Sequence, residues 1–132
     1  MIVLDASVTV ELLLNLPLGE QVRRRLADSD LQLHAPHLLP VEVLQVLRRR
    51  VAAGTTSTTD AVEALDLLEQ LDLSFHDHML LAGRAWTLRG NLSAYDAMYV
   101  ALAELLDAPL LTADAKLARA PGIHATIDLI QP

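Results

Sequence analysis

The sequence predicts one α/β domain over residues 1–132, built on a central, mostly parallel β-sheet flanked by helices. Three observations predict it. Short apolar runs such as Ile2-Val3-Leu4 and Leu110-Leu111 have the length of buried strands and stop at polar residues. Longer stretches with apolar residues three and four apart lie between such runs. The two kinds alternate along the chain, which calls for crossover connections and a parallel sheet. A chain of 132 residues, 52% hydrophobic, suits one domain and can bury roughly 70% of its surface on folding.

Taken in order, Ile2-Val3-Leu4 reads as the first strand, ending at Asp5, and Ala6 to Leu14 as a helix. Pro17-Leu18-Gly19 breaks the chain before a second helix, Glu20 to Ala27. Leu31-Gln32-Leu33-His34 alternates and predicts a strand ended by Ala35-Pro36. Pro40 fits the first turn of a longer helix that runs to about Ala53 and closes at Gly54. After a polar turn, Asp60 to Leu71 is helical, with Ala61, Ala64, Leu65 and Leu68 inward, and Leu73-Ser74-Phe75 is a short strand. His76-Asp77-His78 opens a helix ending at Gly90. Ser93 caps a helix over Ala94 to Leu106, Pro109 to Thr112 is a strand, Asp114 starts a short helix, and Thr126 to Ile130 is the last strand.

Composition narrows the chemistry. There is no cysteine, so disulfides and thiolate metal sites are excluded. Any metal must sit on Asp, Glu or His, which points to hard cations such as Mg²⁺ or Mn²⁺. No apolar run approaches the roughly 20 residues of a membrane span, and no basic stretch precedes the apolar start, so the cytoplasm is the expected address. The net charge of −7 disfavours indiscriminate binding to nucleic acid, which depends on neutralising phosphates. A local basic patch can still grip a backbone. Six of the nine arginines fall in two runs, Arg23 to Arg25 and Arg48 to Arg50.

Four acids stand at predicted element ends. Asp5 and Asp114 follow strands, at the carboxyl edge of the sheet where ligands bind in open α/β folds. Glu42 and Asp96 stand in first helical turns. Singly, each is an acid favoured by a helix dipole or an N-cap. Together they imply more. Asp96 is the one charge between Ala94 and Ala103, and Glu42 is set among Leu38, Leu39, Val41, Val43 and Leu44. Carboxylates in apolar surroundings must be paired, protonated or metal-bound, and a divalent ion satisfies several at once. Such a site can drive phosphodiester cleavage.

These same stretches resemble the PIN-domain nucleases, in particular the VapC-type toxins of toxin–antitoxin pairs. The likeness runs through Ile2-Val3-Leu4-Asp5-Ala6-Ser7, Val41-Glu42-Val43-Leu44-Gln45-Val46-Leu47-Arg48, Tyr95-Asp96-Ala97-Met98-Tyr99-Val100-Ala101-Leu102-Ala103 and Leu110-Leu111-Thr112-Ala113-Asp114, in order over nearly the whole chain. It implies a Mg²⁺-dependent endoribonuclease with Asp5, Glu42, Asp96 and Asp114 as its acidic site, and Ser7 and Thr112 as supporting polar groups. It also implies an RNA substrate, a homodimer and an antitoxin protein that blocks the site. Gln45 stands where many relatives carry Asn, and Ala115-Lys116 where some carry a further acid, which leaves the number of metals open.

Glu42, Gln45 and Arg49 share a helical face by spacing, so Arg48 and Arg49 are candidate RNA contacts. His76 and His78 read as a surface turn rather than a metal site, and Tyr95 and Tyr99 as core or interface residues rather than a base-stacking platform. Two other readings stay open: a phosphoryl-transfer domain with an acidic Mg²⁺ pocket, and a catalytically inactive scaffold of the same fold. Asp5-Ala6-Ser7 lacks the second acid that a dehalogenase-type phosphatase places after its first strand.

Overall fold

The computed structural model describes residues 1–132. Its elements are β1 (Ile2–Leu4), α1 (Ala6–Leu13), α2 (Gly19–Arg25), β2 (Leu33–Pro36), α3 (Leu39–Ala52), α4 (Thr58–Gln70), β3 (Leu73–His76), α5 (Ala82–Thr87), α6 (Ala94–Leu106), β4 (Leu110–Thr112), α7 (Ala115–Ala118) and β5 (Ile127–Leu129). The five strands form one sheet in the order β3-β2-β1-β4-β5, and every neighbouring pair is parallel.

Side chains on the strands alternate between two faces, and each face has its own core. Val3, Ala35 and Leu110 point into the larger one, with Leu39, Val43 and Leu47 of α3, Ala61, Ala64 and Leu68 of α4, and the buried stripe of α6. Ile2, Leu4 and Leu111 point the other way, against Val8 of α1, Val22 of α2 and Ile130. Both faces are therefore covered, as an all-parallel sheet requires. In α6, Ala97 and every residue from Tyr99 to Ala103 are buried, which explains why that helix reads as apolar on nearly every side. Truncating Leu102, fully buried, to Ala would cost about 2–5 kcal/mol. No helix is long and apolar enough to cross a membrane.

Several boundaries differ from the expectation. β2 is displaced by two residues and includes Ala35 and Pro36. Pro36 pairs with His76 only, and the next amide, of His37, donates to the His76 carbonyl at 3.1 Å. Successive amides of a strand face opposite neighbours, so the N–H that proline lacks falls on the side where β1 has already ended. The helix expected over His76 to Gly90 is split into a 3-10 turn, His78–Leu80, and α5. The Asp77 carboxylate accepts from the Met79 amide at 2.8 Å, and the His78 ring accepts from the Leu38 amide at 2.9 Å, so a tertiary contact sets that first turn. The α1–α2 corner is tight: a Cβ on Gly19 would lie 2.6 Å from the Glu11 carbonyl oxygen. Glu11 also accepts from the Leu18 amide at 3.0 Å.

Candidate active site

The order of the strands locates the site. From β1 the chain builds outward through β2 and β3, then returns to the other side of β1 for β4 and β5. The reversal falls between β1 and β4, and in such sheets a crevice opens at their carboxyl ends. Asp5 is the residue after β1, and its amide donates to the Leu111 carbonyl at 3.2 Å. Asp114 lies two residues beyond β4. α3 and α6 bring Glu42 and Asp96 to the same rim, and all four acids line one pocket with Ser7, Glu11, Arg50 and Tyr99.

Asp5 is held on every side. Its Oδ1 accepts from the Val8 amide at 3.2 Å, capping α1, and from the Ser7 hydroxyl at 2.6 Å. Its Oδ2 accepts from the Thr112 hydroxyl. The same two hydroxyls reach the chain that carries Asp114: Ser7 Oγ accepts from the Ala113 amide at 2.9 Å, and Thr112 Oγ1 from the Asp114 amide at 3.0 Å. Ser7 and Thr112 thus tie two of the acids into one rigid unit. Asp114 also caps α7, its Oδ1 accepting from the Lys116 amide at 2.9 Å.

Glu42 and Asp96 are less well provided for. Pro40 starts α3 and Glu42 stands in its first turn, yet Glu42 Oε1 is buried without a hydrogen-bond partner. The Tyr99 hydroxyl is close enough to influence it, but it too is buried outside hydrogen-bond geometry. Ser93 caps α6 by accepting from the Asp96 amide at 3.1 Å, which fixes the turn carrying that carboxylate.

The charge balance is unfavourable as it stands. Burial pushes the Asp5 carboxyl up to about 6, against the hydrogen bonds from Ser7, Thr112 and Val8, and Asp96 adds repulsion. Burial first, then the charge of Asp96, raises Glu42, while the Tyr99 hydroxyl lowers it. Burial first, then the charge of Asp114, raises Asp96. The Tyr99 phenol is raised by burial and by the negative charges of Glu42, Asp5 and Asp96, so it keeps its proton. No cation contributes to any of these shifts.

The oxygen donors, the orphaned Glu42 Oε1 and the mutual repulsion fit a hard divalent cation. No three Asp, Glu or His side chains stand close enough to hold one directly. Mg²⁺ needs only one or two carboxylates and keeps several waters, so the donor set accommodates it.

Arg48 and Arg49 line a neighbouring groove with Val41, Leu44 and Tyr95, and Arg50 is the one that enters the acidic pocket. The signal was present in the spacing of Glu42, Val46 and Arg50, one face of α3 by steps of four. Tyr99 packs in the core, and Tyr95, expected in the core or an interface, is 60% exposed in the single chain. The histidines do not form a simple surface turn: His34 Nδ1 and His76 Nε2 lie 2.9 Å apart across β2 and β3.

A family model for the PIN domain matches residues 2–123. The chain belongs to the PIN-domain family. Among curated relatives, this PIN domain is 42% identical to ribonuclease VapC1 of Mycobacterium tuberculosis over 130 residues, 98% of this chain and 97% of that protein. It is 38% identical to ribonuclease VapC12 of the same organism, over 98% of this chain and 99% of the other. The family branch is therefore that of the VapC-type proteins. The fold agrees with solved structures. VapC20 of M. tuberculosis, described as a sarcin–ricin loop cleaving toxin, superposes with a TM-score of 0.73 at 16% identity over 100% of both chains. A VapBC2 chain from Rickettsia felis, in a structure bound to a promoter DNA fragment, gives 0.73 at 14% identity over 99% of this chain and 100% of its own.

Proposed function

We propose that this PIN domain, residues 1–132 acting as one unit, is a Mg²⁺-dependent endoribonuclease and the toxin of a toxin–antitoxin pair. The observation that carries the reading is the pocket at the β1–β4 crevice, which four carboxylates line and where burial and mutual repulsion raise three of them above their ordinary range. The ribonuclease names of relatives about 40% identical over nearly the whole chain support it.

Of Asp5, Glu42, Asp96 and Asp114, one or two would hold Mg²⁺ directly and the others through its bound waters, with Mn²⁺ as a substitute. When bound, the ion lowers the pKa of an attacking water and offsets charge that develops on the phosphate. The remaining work belongs to the chain. Ser7 and Thr112 fix both oxygens of Asp5 and, through the backbone, the position of Asp114. Tyr99 keeps its hydroxyl proton beside Glu42. The apolar side chains of Val10, Leu16 and Val46 form part of the pocket's wall. Such preorganised charge needs no rearrangement at the moment of reaction.

The partners follow the same reading: RNA as substrate, an antitoxin protein that blocks the pocket, a second copy of this chain in a homodimer, and action in the cytoplasm. The VapBC2 assembly of a structural relative supports the antitoxin. The test is incubation of purified protein with total cellular RNA in Mg²⁺ or in EDTA, beside Asp96→Asn. Discrete fragments that need both Mg²⁺ and Asp96 are expected. Intact RNA under every condition, with an unchanged melting temperature on adding Mg²⁺, contradicts the reading and favours an inactive scaffold.

A further inference from the structure

We infer that Arg50 is a phosphate-anchoring residue, its guanidinium gripping the backbone of an RNA strand that lies across the acidic pocket. The inference rests on the ribonuclease reading and adds a substrate contact to it. A polyanion approaching four carboxylates is repelled, in a protein whose net charge is already −7. Bound Mg²⁺ offsets that repulsion at the acids themselves, and a cationic side chain at the pocket's edge offsets it along the rest of the strand. Arg50 is the one cationic side chain among the residues that line it.

Its guanidinium makes no ion pair within the fold, and it stands between the acidic pocket and an adjoining one lined by Thr56, Asp60 and Glu63. Arg23, Arg24, Arg25 and Arg84 each pair with a carboxylate, and Arg50 pairs with none. It is nonetheless held in place. Nε donates to Thr56 Oγ1 at 2.9 Å, and the Arg50 carbonyl accepts from the Thr55 and Thr56 amides at 3.0 and 3.3 Å. The two terminal nitrogens make no hydrogen bond within the protein, so the fork that matches a phosphate is left open on an immobilised side chain. Arg48 and Arg49 lack this arrangement. They are exposed, and they face the groove on the other side of Glu42 and Val46.

The test separates this inference from the reading beneath it. Binding of a fluorescently labelled, mixed-sequence single-stranded RNA is measured in Mg²⁺ on an Asp96→Asn background, across a range of salt. Cleavage is measured with Asp96 intact. Arg50→Gln keeps an amide in reach of Thr56 and removes the charge. It is expected to weaken binding roughly tenfold and to flatten the slope of log affinity against log salt by roughly 0.7. In cleavage it raises KM with kcat held. Arg50→Lys restores the slope without the full affinity, and Arg89→Gln changes neither. If the parent binds and cleaves while Arg50→Gln keeps its slope and KM, the inference falls and the ribonuclease reading stands. A lowered melting temperature with an unchanged slope assigns Arg50 a structural role and also overturns it. If the parent neither binds nor cleaves RNA, both fall.

Discussion

Glu104 stands near the C-terminal end of α6, and its carboxylate accepts three bonds from the Arg84 guanidinium, at 2.8, 2.9 and 3.2 Å, and one from the His124 amide at 3.1 Å. Arg84 holds its pKa below the ordinary glutamate value. Glu42 stands in the first turn of α3, with one oxygen buried and unpartnered and its pKa raised by burial and by Asp96. The fold thus completes one half-buried carboxylate and leaves the other, with its three neighbours, incomplete. Acids that serve architecture are matched from within. The mismatched group lies at the strand-order reversal, where a ligand must supply the missing charge.

The largest expected effect separates the two groups by function. Asp96→Asn should reduce RNA cleavage on the order of a thousandfold, the loss of several kcal/mol of charge stabilisation. Its melting temperature should stay near that of the parent, because an unmatched charge has been removed. Gel assays and thermal melts on one preparation check both. A melting temperature that collapses would make Asp96 an architectural acid like Glu104.

The second effect is in pH. Asp5 has a folded pKa of about 6 against an ordinary 3.8, so the folded state holds the proton more tightly. Its contribution to stability is complete below the unfolded value and is lost as pH climbs through about 6. The loss is about 3 kcal/mol. Glu104 has the opposite sign: its folded pKa is lowered, so its contribution is present above the ordinary value and disappears as pH falls. Urea unfolding in EDTA should therefore show stability declining between pH 4 and pH 6, and Mg²⁺ should restore it at the upper end. Stability that rises throughout that interval would contradict the burial of an unmatched Asp5.

A smaller change tests the matched side. Arg84→Ala strands Glu104 and should cost about 2 kcal/mol of stability, while cleavage per folded molecule is unaltered. Chemical denaturation beside the RNA assay measures the two. The smallest effect concerns orientation. Thr112→Val removes the hydroxyl that links Asp5 to the Asp114 amide, and should weaken Mg²⁺ binding roughly tenfold with the fold retained, read by Mg²⁺ titration of the melting temperature.

The sequence was most legible where a local signal and the tertiary requirement coincide. Every strand and the long helices follow from short apolar runs, helical spacing and caps such as Ser93, with boundaries shifted by a residue or two. The four acids are legible because each stands at an element end, and parallel strands bring those ends to one edge. What sequence patterns miss depends on how elements are packed. Arg50 rather than Arg49 enters the pocket because α3 packs against α1 and α4, and that contact decides which of its faces meets the pocket. The His34–His76 contact spans 42 residues and exists only once β2 and β3 are in register. Pro36 reads as a strand breaker until β1 is known to end before it.

The most direct test of the contrast between the two glutamates is calorimetric titration of the metal-free protein with Mg²⁺ at pH 6, beside Glu42→Gln. A divalent ion that completes the unmatched group must displace the protons it holds, Asp5 titrating near that pH. The account predicts saturable binding with proton release, seen as a dependence of the heat on the buffer's ionisation enthalpy, and both weakened in Glu42→Gln. No binding by the parent, or equal binding by the variant, would contradict it.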